Sequence, residues 1–373
     1  MKLFRSFGIC MTFLILISSC SGSKLKKSES VIFCVRVDGV SYFADENGVM
    51  LFGRQFDDAY PFREGFAFVK SDDKWGFIDT KGKMVIPCIY DDAYPFNEGF
   101  ASVKSNDKWG FIDTKGKMVV PCVYDDADDF FGNFSFREGF ARVKSNDKWG
   151  FIDTKGKMVI PCVYDYAMDF SEGFACVVSN GKGGFIDTKG KMVIPCVYDE
   201  AWSFSEGFAR VKSNDKWGFI DTKGKMVIPC VYDGVLSFSE EFAFVKSNGK
   251  GGFIDTKGKM VIPCVYDYAM DFSEGFARVV SNGKEGFIDT KGKMVIPCVY
   301  DAAWPFSEGF ASVKSNDKWG FIDTKGKMVI PCVYDSAWSF SEGFAIVESN
   351  NKGGVINQSG EFVIPPIADR ISW

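Results

Sequence analysis

Residues 149–165 read WGFIDTKGKMVIPCVYD, and this block recurs along almost the whole chain. Other close copies begin at Trp75, Trp109, Trp217 and Trp319, and variants begin at Gly183, Gly251, Glu285 and Gly353. Successive copies start 34 residues apart, with a single spacing of 40. A fixed period of this length indicates a repeat protein in which each unit packs against its neighbours.

Two degenerate copies extend the array in both directions. YFADENGVM at residues 42–50 lies one period before the first clear copy, and GGVINQSGEFVIPPI begins the last one at Gly353. A six-residue insertion within residues 126–138 accounts for the long spacing. The sequence therefore predicts about ten units covering residues 31–373, with atypical copies at the ends, as repeat arrays usually have.

One unit has the pattern of a small antiparallel sheet. Residues 140–144 alternate between apolar and polar side chains, as a half-buried strand does. Asn146-Asp147, which is Asn-Gly in other units, predicts a two-residue hairpin turn to a second strand at 149–153. Asp-Thr-Lys-Gly-Lys predicts a longer turn, and Pro161 places the third strand at a sheet edge or makes it bend.

Three short strands cannot bury enough apolar surface to be stable alone, so the units must stack. Two all-β architectures satisfy this requirement. A tandem array of three-stranded antiparallel units can form an open superhelix, which accepts any number of repeats. A closed β-propeller is the alternative, but its blades usually have four strands in 40 or more residues. The 34-residue period favours the open superhelix.

The repeated block resembles the WG repeat, a bacterial β-repeat family named after its Trp-Gly pair. The shared features are Trp-Gly followed by Phe-Ile-Asp, a Lys-Gly-Lys turn, Ile-Pro and then Tyr-Asp, and they extend over about 330 residues. The resemblance implies a β-structured array. It implies no reaction, cofactor or catalytic residue.

The amino terminus has the features of an export signal. Residues 1–19 combine Lys2 and Arg5 with an apolar stretch that is too short to cross a bilayer about 30 Å thick. Ile17-Ser18-Ser19-Cys20 resembles the lipobox of bacterial lipoproteins. That resemblance implies lipidation at Cys20, a polar tether at 20–30 and anchoring at the bacterial cell envelope, with the outer membrane as one option. An ordinary secretory signal is the alternative.

Composition excludes several classes of activity. The chain has no histidine, which removes Ser-His-Asp and Cys-His catalysis and histidine-ligated zinc. Its net charge is −5 with acidic and basic residues interleaved, which is unlike a nucleic-acid-binding protein. Eight cysteines follow Pro at the period of the repeat, too far apart for disulfides and without paired metal-ligand spacing. We expect reduced packing residues and no metal, cofactor or catalytic site.

The copies differ mainly at three positions per unit. Many of the differing residues are Trp, Tyr, Met and Arg, types that are enriched at binding hot spots. The predicted interaction surface contains Tyr94, Tyr166, Tyr268, Trp202, Trp304, Trp338, Arg142, Arg210 and Arg278. Relaxed drift on an unimportant face would also produce such variation.

These observations predict a non-catalytic, lipid-anchored protein-binding or multivalent interaction module. A structural spacer, or a glycan-binding module that uses the Trp and Tyr positions, is the alternative. An enzyme is the least favoured class, because every unit offers the same carboxylates and none forms a unique pair. The Lys-Gly-Lys turns are interpreted as solvated loops.

Overall fold

A computed structural model describes residues 31–127 and 136–373 of the chain. Within these residues the regular secondary structure is entirely β, arranged in ten small antiparallel sheets. Cys20 and most of the six-residue insertion lie outside the described residues. We call the sheets blades 1 to 10 in chain order.

Blade 1 combines the two ends of the array. Its strands are β1 (Phe33–Val37), β2 (Val40–Ala44), β3 (Met50–Phe56) and, from the end of the chain, β39 (Arg370–Ser372). In each of blades 2 to 10, the strands are consecutive in the chain and lie side by side in that order. Seven of them open with a two-residue strand, and blade 8 with a longer one: β4 (Asp58–Ala59), β8 (Asp92–Ala93), β15 (Tyr166–Ala167), β19 (Glu200–Ala201), β23 (Gly234–Val235), β27 (Tyr268–Ser273), β31 (Ala302–Ala303) and β35 (Ser336–Ala337).

The three longer strands of each blade recur with the sequence period. The second strands are β5 (Phe66–Ser71), β9 (Phe100–Ser105), β12 (Phe140–Ser145), β16 (Phe174–Ser179), β20 (Phe208–Ser213), β24 (Phe242–Ser247), β28 (Phe276–Ser281), β32 (Phe310–Ser315) and β36 (Phe344–Ser349). The third strands are β6 (Lys74–Asp79), β10 (Lys108–Asp113), β13 (Lys148–Asp153), β17 (Lys182–Asp187), β21 (Lys216–Asp221), β25 (Lys250–Asp255), β29 (Lys284–Asp289), β33 (Lys318–Asp323) and β37 (Lys352–Asn357). The fourth strands are β7 (Met84–Tyr90), β11 (Met118–Tyr124), β14 (Met158–Tyr164), β18 (Met192–Tyr198), β22 (Met226–Tyr232), β26 (Met260–Tyr266), β30 (Met294–Tyr300), β34 (Met328–Tyr334) and β38 (Phe362–Ala368).

The array closes into a ring. β39 pairs antiparallel with β1, with Cys34 opposite Ser372 and Arg36 opposite Arg370. The last repeat therefore supplies the first strand of blade 1, and each blade packs against the next all the way around. The all-β array of ten antiparallel units is confirmed. The closed β-propeller, our alternative, is the observed architecture, and the favoured open superhelix is wrong.

The predicted meander is correct for three strands but misses the fourth. In blade 3, Asp92 and Ala93 pair with Lys104 and Val103 and add the short strand β8 to the sheet. Blade 4 has an isolated bridge between Asp126 and Lys144 at this place. A strand of two residues is too short to show an alternating pattern, so the sequence gives no signal for it.

Each blade presents a large-residue face to the next blade and a small-residue face to the previous one. Phe68 and Phe77 of blade 2 pack against blade 3, where small side chains such as Ala101 receive them. The space between two neighbouring blades is completed by a phenylalanine that follows the first strand of the second blade. Phe96 is the example in blade 3, with its ring centroid 4.9 Å from that of Phe77. Size complementarity thus orders consecutive blades.

The glycine of each Trp-Gly pair has a steric role. The fourth strand β14 bulges, because its register to β13 shifts between Trp149 and Ile152. The bulge brings Pro161 and Cys162 over Gly150, where an added Cβ would lie 2.5 Å from the carbonyl oxygen of Ile160. Any side chain at this position would collide with backbone. As its proline predicts, the fourth strand both bends and lies at a sheet edge.

Successive antiparallel strands place their connections alternately at the two ends of a blade. We call one side of the ring the junction side, where the 72–73 type turns and the blade-to-blade passages such as 90–92 lie. The other is the lysine side, which carries the 64–65 and 80–83 type turns. In the turn at 80–83, Asp79 Oδ1 accepts the N–H groups of Lys81 and Lys83 at 2.9 Å.

Candidate binding surface

Two of the three variable positions of a repeat lie beside the position of the Trp in the Trp-Gly pair. In blade 2 these three side chains are Tyr60 after the first strand, Phe68 in the second and Trp75 in the third. Tyr60 stacks on Phe68 with a centroid distance of 4.4 Å, and Phe68 lies 5.3 Å from Trp75. We call such a group a variable cluster. It lies on the large-residue face near the junction side of the ring.

Members of a cluster compensate for one another in size. In blade 3 the small Ser102 accompanies Tyr94 and Trp109, whose rings stack at 5.1 Å. In blade 7 the tryptophan position is Gly251, and a Cβ there would lie 2.3 Å from the ring of Phe244. The remaining clusters are Arg142/Trp149, Met168/Cys176/Gly183, Trp202/Arg210/Trp217, Met270/Arg278/Glu285, Trp304/Ser312/Trp319 and Trp338/Ile346/Gly353. Much of the sequence variation between repeats is therefore explained by the need of neighbouring side chains in one cluster to pack together.

The three predicted arginines lie between blades. Arg142 is only 4% exposed, and its guanidinium stacks over Trp149 while donating to the carbonyl of Ala167 in blade 5. Arg278 donates to Ala303 O at 3.0 Å and pairs with Glu285 at 2.6 Å.

Arg210 donates in the same way, to Val235 O at 3.3 Å, and its guanidinium lies 4.4 Å from the ring of Trp202. All three side chains therefore link one blade to the first strand of the next. Cys34 and Cys176 occupy the same repeat position and also make this link, with Sγ 3.2 Å from Ala59 O and 3.3 Å from Ala201 O.

The predicted aromatic residues are more accessible. Trp338 is 41% exposed, and Tyr94, Trp202 and Trp304 are partly exposed. Their backbone N–H groups pair with the second strand, as that of Trp304 does with Ser312 O at 2.9 Å. Together with Tyr60, these residues form what we call the aromatic row, which the repeat distributes along the ring. Tyr60 occupies the same position of the repeat as Tyr94. It was not predicted from the sequence, because the repeat that precedes it is the degenerate first copy.

Tyr166 and Tyr268 occupy a second position, at the start of a first strand. Each one contacts the variable cluster of the preceding blade. The ring of Tyr166 lies 6.3 Å from that of Trp149, and the ring of Tyr268 lies 5.4 Å from that of Phe244. Tyr268 is 40% exposed. These two tyrosines border the aromatic row without belonging to it.

Ion pairs cover the junction side. In each of blades 2 to 10, the lysine that begins the third strand binds the aspartate that opens the next blade, as Lys182 does with Asp199 at 2.5 Å. The same aspartate also accepts the N–H of Asn214 at 2.9 Å. The lysine hydrogen bond and then this N–H lower the pKa of Asp199 below its usual range. Many of the charged side chains on the junction side therefore form ion pairs that connect one blade to the next.

Burial also shifts the pKa of titratable groups that lie outside these ion pairs. Burial raises the pKa of the Cys34 and Cys176 thiols to about 12, so both stay protonated at neutral pH. Burial also raises the pKa of Asp271 to about 6, against the opposing charge of Arg210. The ten described cysteines are unpaired, and no group of three metal-ligating side chains is found in this part of the chain.

The fold and this surface define a class, the repeat-built β-propellers. Within that class, the chain belongs to the WG-containing repeat family. The family model matches ten segments, namely residues 43–75, 75–109, 109–149, 149–182, 184–217, 217–250, 252–284, 286–319, 319–352 and 354–372. Comparison of the sequence with curated proteins finds no match. Among the described residues, none forms a helix long and apolar enough to cross a membrane.

Solved structures resemble the ring at low sequence identity. A crystal structure of the eukaryotic initiation factor matches with a TM-score of 0.53 and 12% identity, over 81% of this chain and 95% of that one. BamB from Moraxella catarrhalis matches at 0.38 and 11%, over 81% and 94%. The dihydro-heme d1 dehydrogenase NirN in complex with DHE matches at 0.41 and 15%, over 91% and 74%. The first likeness shows a shared fold alone, and the other two scores support no argument.

Proposed function

We propose that this protein is a non-catalytic binding module whose aromatic row recognises a protein partner. The observation that carries the proposal is the contrast within each repeat. The core strands are copied almost unchanged, whereas the position just after the first strand is Tyr, Met, Trp or Leu in blades 2, 3 and 5 to 10, and its side chain is at least partly exposed, as Trp202, Leu236 and Trp304 illustrate. A closed ring holds these residues on a rigid scaffold, which lowers the entropic cost of binding.

The proposal includes attachment to the bacterial cell envelope through lipidated Cys20. Its support is the match of residues 17–20 to the lipobox and the polar tether that follows. A Cys20→Ser variant should lose incorporation of labelled palmitate. Retention of the label would contradict the anchor.

The repeated carboxylates support a non-catalytic role. Asp153 caps a turn, and Asp199 joins two blades, and each is one of many equivalent residues around the ring. Catalysis by a carboxylate pair needs two groups in unequal environments at one site. In this repeat the carboxylates instead hold turns and connect neighbouring blades.

Affinity capture from an envelope extract tests the binding surface. The test variant replaces Trp202, Trp304 and Trp338 with Ala. A matched control replaces the exposed residues Val231, Val333 and Ile367, on the fourth strands of the same three blades, with Ala. The proposal expects a partner that wild type and control retain and the tryptophan variant loses.

Binding of the purified partner should then weaken by about 10- to 100-fold, as loss of hot-spot aromatic residues typically causes. Unchanged thermal unfolding of the variant would show that the loss is one of binding. Equal retention by all three proteins would contradict the proposal.

A further inference from the structure

The lysine side of the ring carries sixteen lysines that bind no carboxylate. They are the two lysines of each Lys-Gly-Lys turn in blades 2 to 9: Lys81, Lys83, Lys115, Lys117, Lys155, Lys157, Lys189, Lys191, Lys223, Lys225, Lys257, Lys259, Lys291, Lys293, Lys325 and Lys327. We call this set the lysine arc. All sixteen are exposed, and within the described residues none takes part in an ion pair. On the junction side, by contrast, the lysine at the start of each third strand is paired.

Most of the acidic residues in the turns of the lysine side accept hydrogen bonds from backbone N–H groups. Asp153 Oδ1 accepts two N–H groups of its own turn at 2.9 Å. Glu138 accepts the N–H groups of Glu172 and Gly173 in the next blade at 2.7 and 2.9 Å. Equivalent glutamates repeat this link around much of the ring. These carboxylates are engaged by backbone N–H groups, whereas the ammonium groups of the lysine arc form no ion pair within the described residues and can meet an external anion.

An exposed methionine follows most of these turns directly. The exposed fractions of Met118, Met158, Met192, Met226, Met260, Met294 and Met328 lie between 37% and 39%. Each begins a fourth strand, so it lies at the same end of the blade as the lysines. The lysine side therefore presents ammonium groups with apolar side chains among them, a combination that suits a lipid interface better than a fully hydrated polymer.

The arc is continuous over eight neighbouring blades and stops at the ring closure. The corresponding turns of blades 1 and 10 contain Glu46 and Glu361 and no lysine. The lysines thus belong to one side of a ring, at regular angular intervals. Such an arrangement can meet a flat anionic surface at many points at once, and multiple contacts strengthen binding well beyond a single one.

We propose that the lysine arc docks onto the anionic headgroups of a lipid surface, with the adjacent methionines entering the headgroup region. The surface is separate from the aromatic row, which lies towards the junction side. The ring would therefore bind lipid with one side while the other remains accessible to a partner. This inference does not depend on lipidation of Cys20 or on the identity of a protein partner.

Co-sedimentation with vesicles tests the inference. The test uses residues 31–373, because all ten blades and their contacts lie within this unit and the apolar amino-terminal segment is absent from it. Vesicles of phosphatidylcholine with about 30% phosphatidylglycerol should bind the ring, and pure phosphatidylcholine vesicles should bind at least about tenfold less. Added salt should weaken binding, since screening acts on exposed charges.

Two variants with the same change in net charge locate the surface. The test variant replaces the first lysine of each turn with Gln: Lys81, Lys115, Lys155, Lys189, Lys223, Lys257, Lys291 and Lys325. The control replaces eight junction-side lysines with Gln: Lys74, Lys108, Lys148, Lys182, Lys216, Lys250, Lys284 and Lys318. We expect the test variant to lose vesicle binding by about tenfold or more and the control by less than about threefold.

Three results would overturn the inference. Wild-type protein could fail to bind the anionic vesicles, or both variants could lose binding equally. Binding to soluble dextran sulfate with no binding to vesicles would assign the arc to an acidic polysaccharide instead. Circular dichroism and thermal unfolding of both variants establish that they remain folded before the comparison is made.

Discussion

The junction between blades 10 and 1 is held differently from the junctions within the chain. At the interior junctions from blades 2 and 3 onward, a phenylalanine after the first strand packs between two others, as Phe204 does against Phe174 and Phe185 at 5.1 and 4.8 Å. At the closing junction, Phe33 lies on β1 instead, with its ring 5.4 Å from Phe344 and 5.3 Å from Trp373. The same space is filled from another strand.

Arginine 370 adds contacts that are specific to the closing blade. Its guanidinium binds Asp58, donates to Ala59 O at 2.8 Å and lies 4.7 Å from the ring of Tyr60. Arg36 also binds Asp58, at 3.0 Å. These residues tie β39 and β1 to blade 2. The end copies therefore differ from the others in the residues that fill and hold the closing junction.

Removal of the closing strand should have the largest effect. Deleting residues 369–373 removes β39, the Arg370 contacts and Trp373, so blade 1 loses its first strand. We expect the free energy of unfolding to fall by at least about 4 kcal/mol, in denaturant titrations of residues 31–373. Hydrogen exchange should accelerate first in β1.

A deletion of Trp373 alone is the control for that experiment and should cost about half as much. If the longer deletion left both stability and exchange in β1 unchanged, the closing strand would not hold the ring together.

The glycine of the Trp-Gly pair provides the next test. Gly218→Ala in blade 6 would place a Cβ 2.4 Å from Ile228 O, so the bulge must open. We expect a loss of about 2–4 kcal/mol of unfolding free energy. Gly234→Ala is the control, because its Cβ would meet only Lys246 Cβ at 3.7 Å and should change stability by less than about 0.5 kcal/mol. Blade 1 carries Tyr42 at the equivalent position, where Phe52 and Gly53 have positive φ.

Equal stability of the two alanine variants would show that the glycine is not a steric requirement of interior blades.

Replacement of Arg370 should have an intermediate effect. Arg370→Met retains much of the apolar stem but leaves Asp58 with Arg36 as its remaining arginine partner. We expect a loss of about 1–3 kcal/mol by denaturant titration, since a partly buried charged network is disrupted. Lys83→Met on an exposed turn is the control and should stay within about 0.5 kcal/mol of wild type. A neutral Arg370→Met variant would mean that strand pairing alone closes the ring.

Acid should weaken interior and closing junctions alike, with a small effect per pair. Hydrogen bonds from lysine lower the pKa of Asp199 and of Asp369 in the folded protein. Their stabilisation is therefore present above the unfolded pKa of about 4 and is lost as pH falls through the lower folded pKa. Asp199→Asn and Asp369→Asn should each reduce the melting temperature slightly at pH 7, and the difference from wild type should shrink as the pH falls below about 4.

If either difference did not shrink as the pH was lowered below about 4, the aspartate would act through something other than its charge.

The sequence was sufficient for the local structure of the repeat but not for its long-range contacts. Asn-Asp, Asn-Gly and Asp-Thr-Lys-Gly-Lys are turn patterns with a direct steric cause, and Pro161 correctly marked a bent edge strand. The pairing of β1 with β39 joins residues more than 330 positions apart, and no local pattern reports it.

The candidate site was only partly predictable for the same reason. Most residues of the aromatic row could be predicted, because they share one position of the sequence repeat. The location of Arg142 between blades depends on the carbonyl of Ala167 in the next blade, which only the packing of neighbouring sheets reveals.

A disulfide across the closing strands tests the ring most directly. Cys34 lies opposite Ser372, and facing residues of an antiparallel pair have Cα atoms about 4.5–5.5 Å apart, within the range that a disulfide accepts. Mild oxidation of a Ser372→Cys variant should join the two cysteines within one chain, as peptide mapping by mass spectrometry would show. If the bridge formed only between two chains, the ring would be open and the account would be wrong.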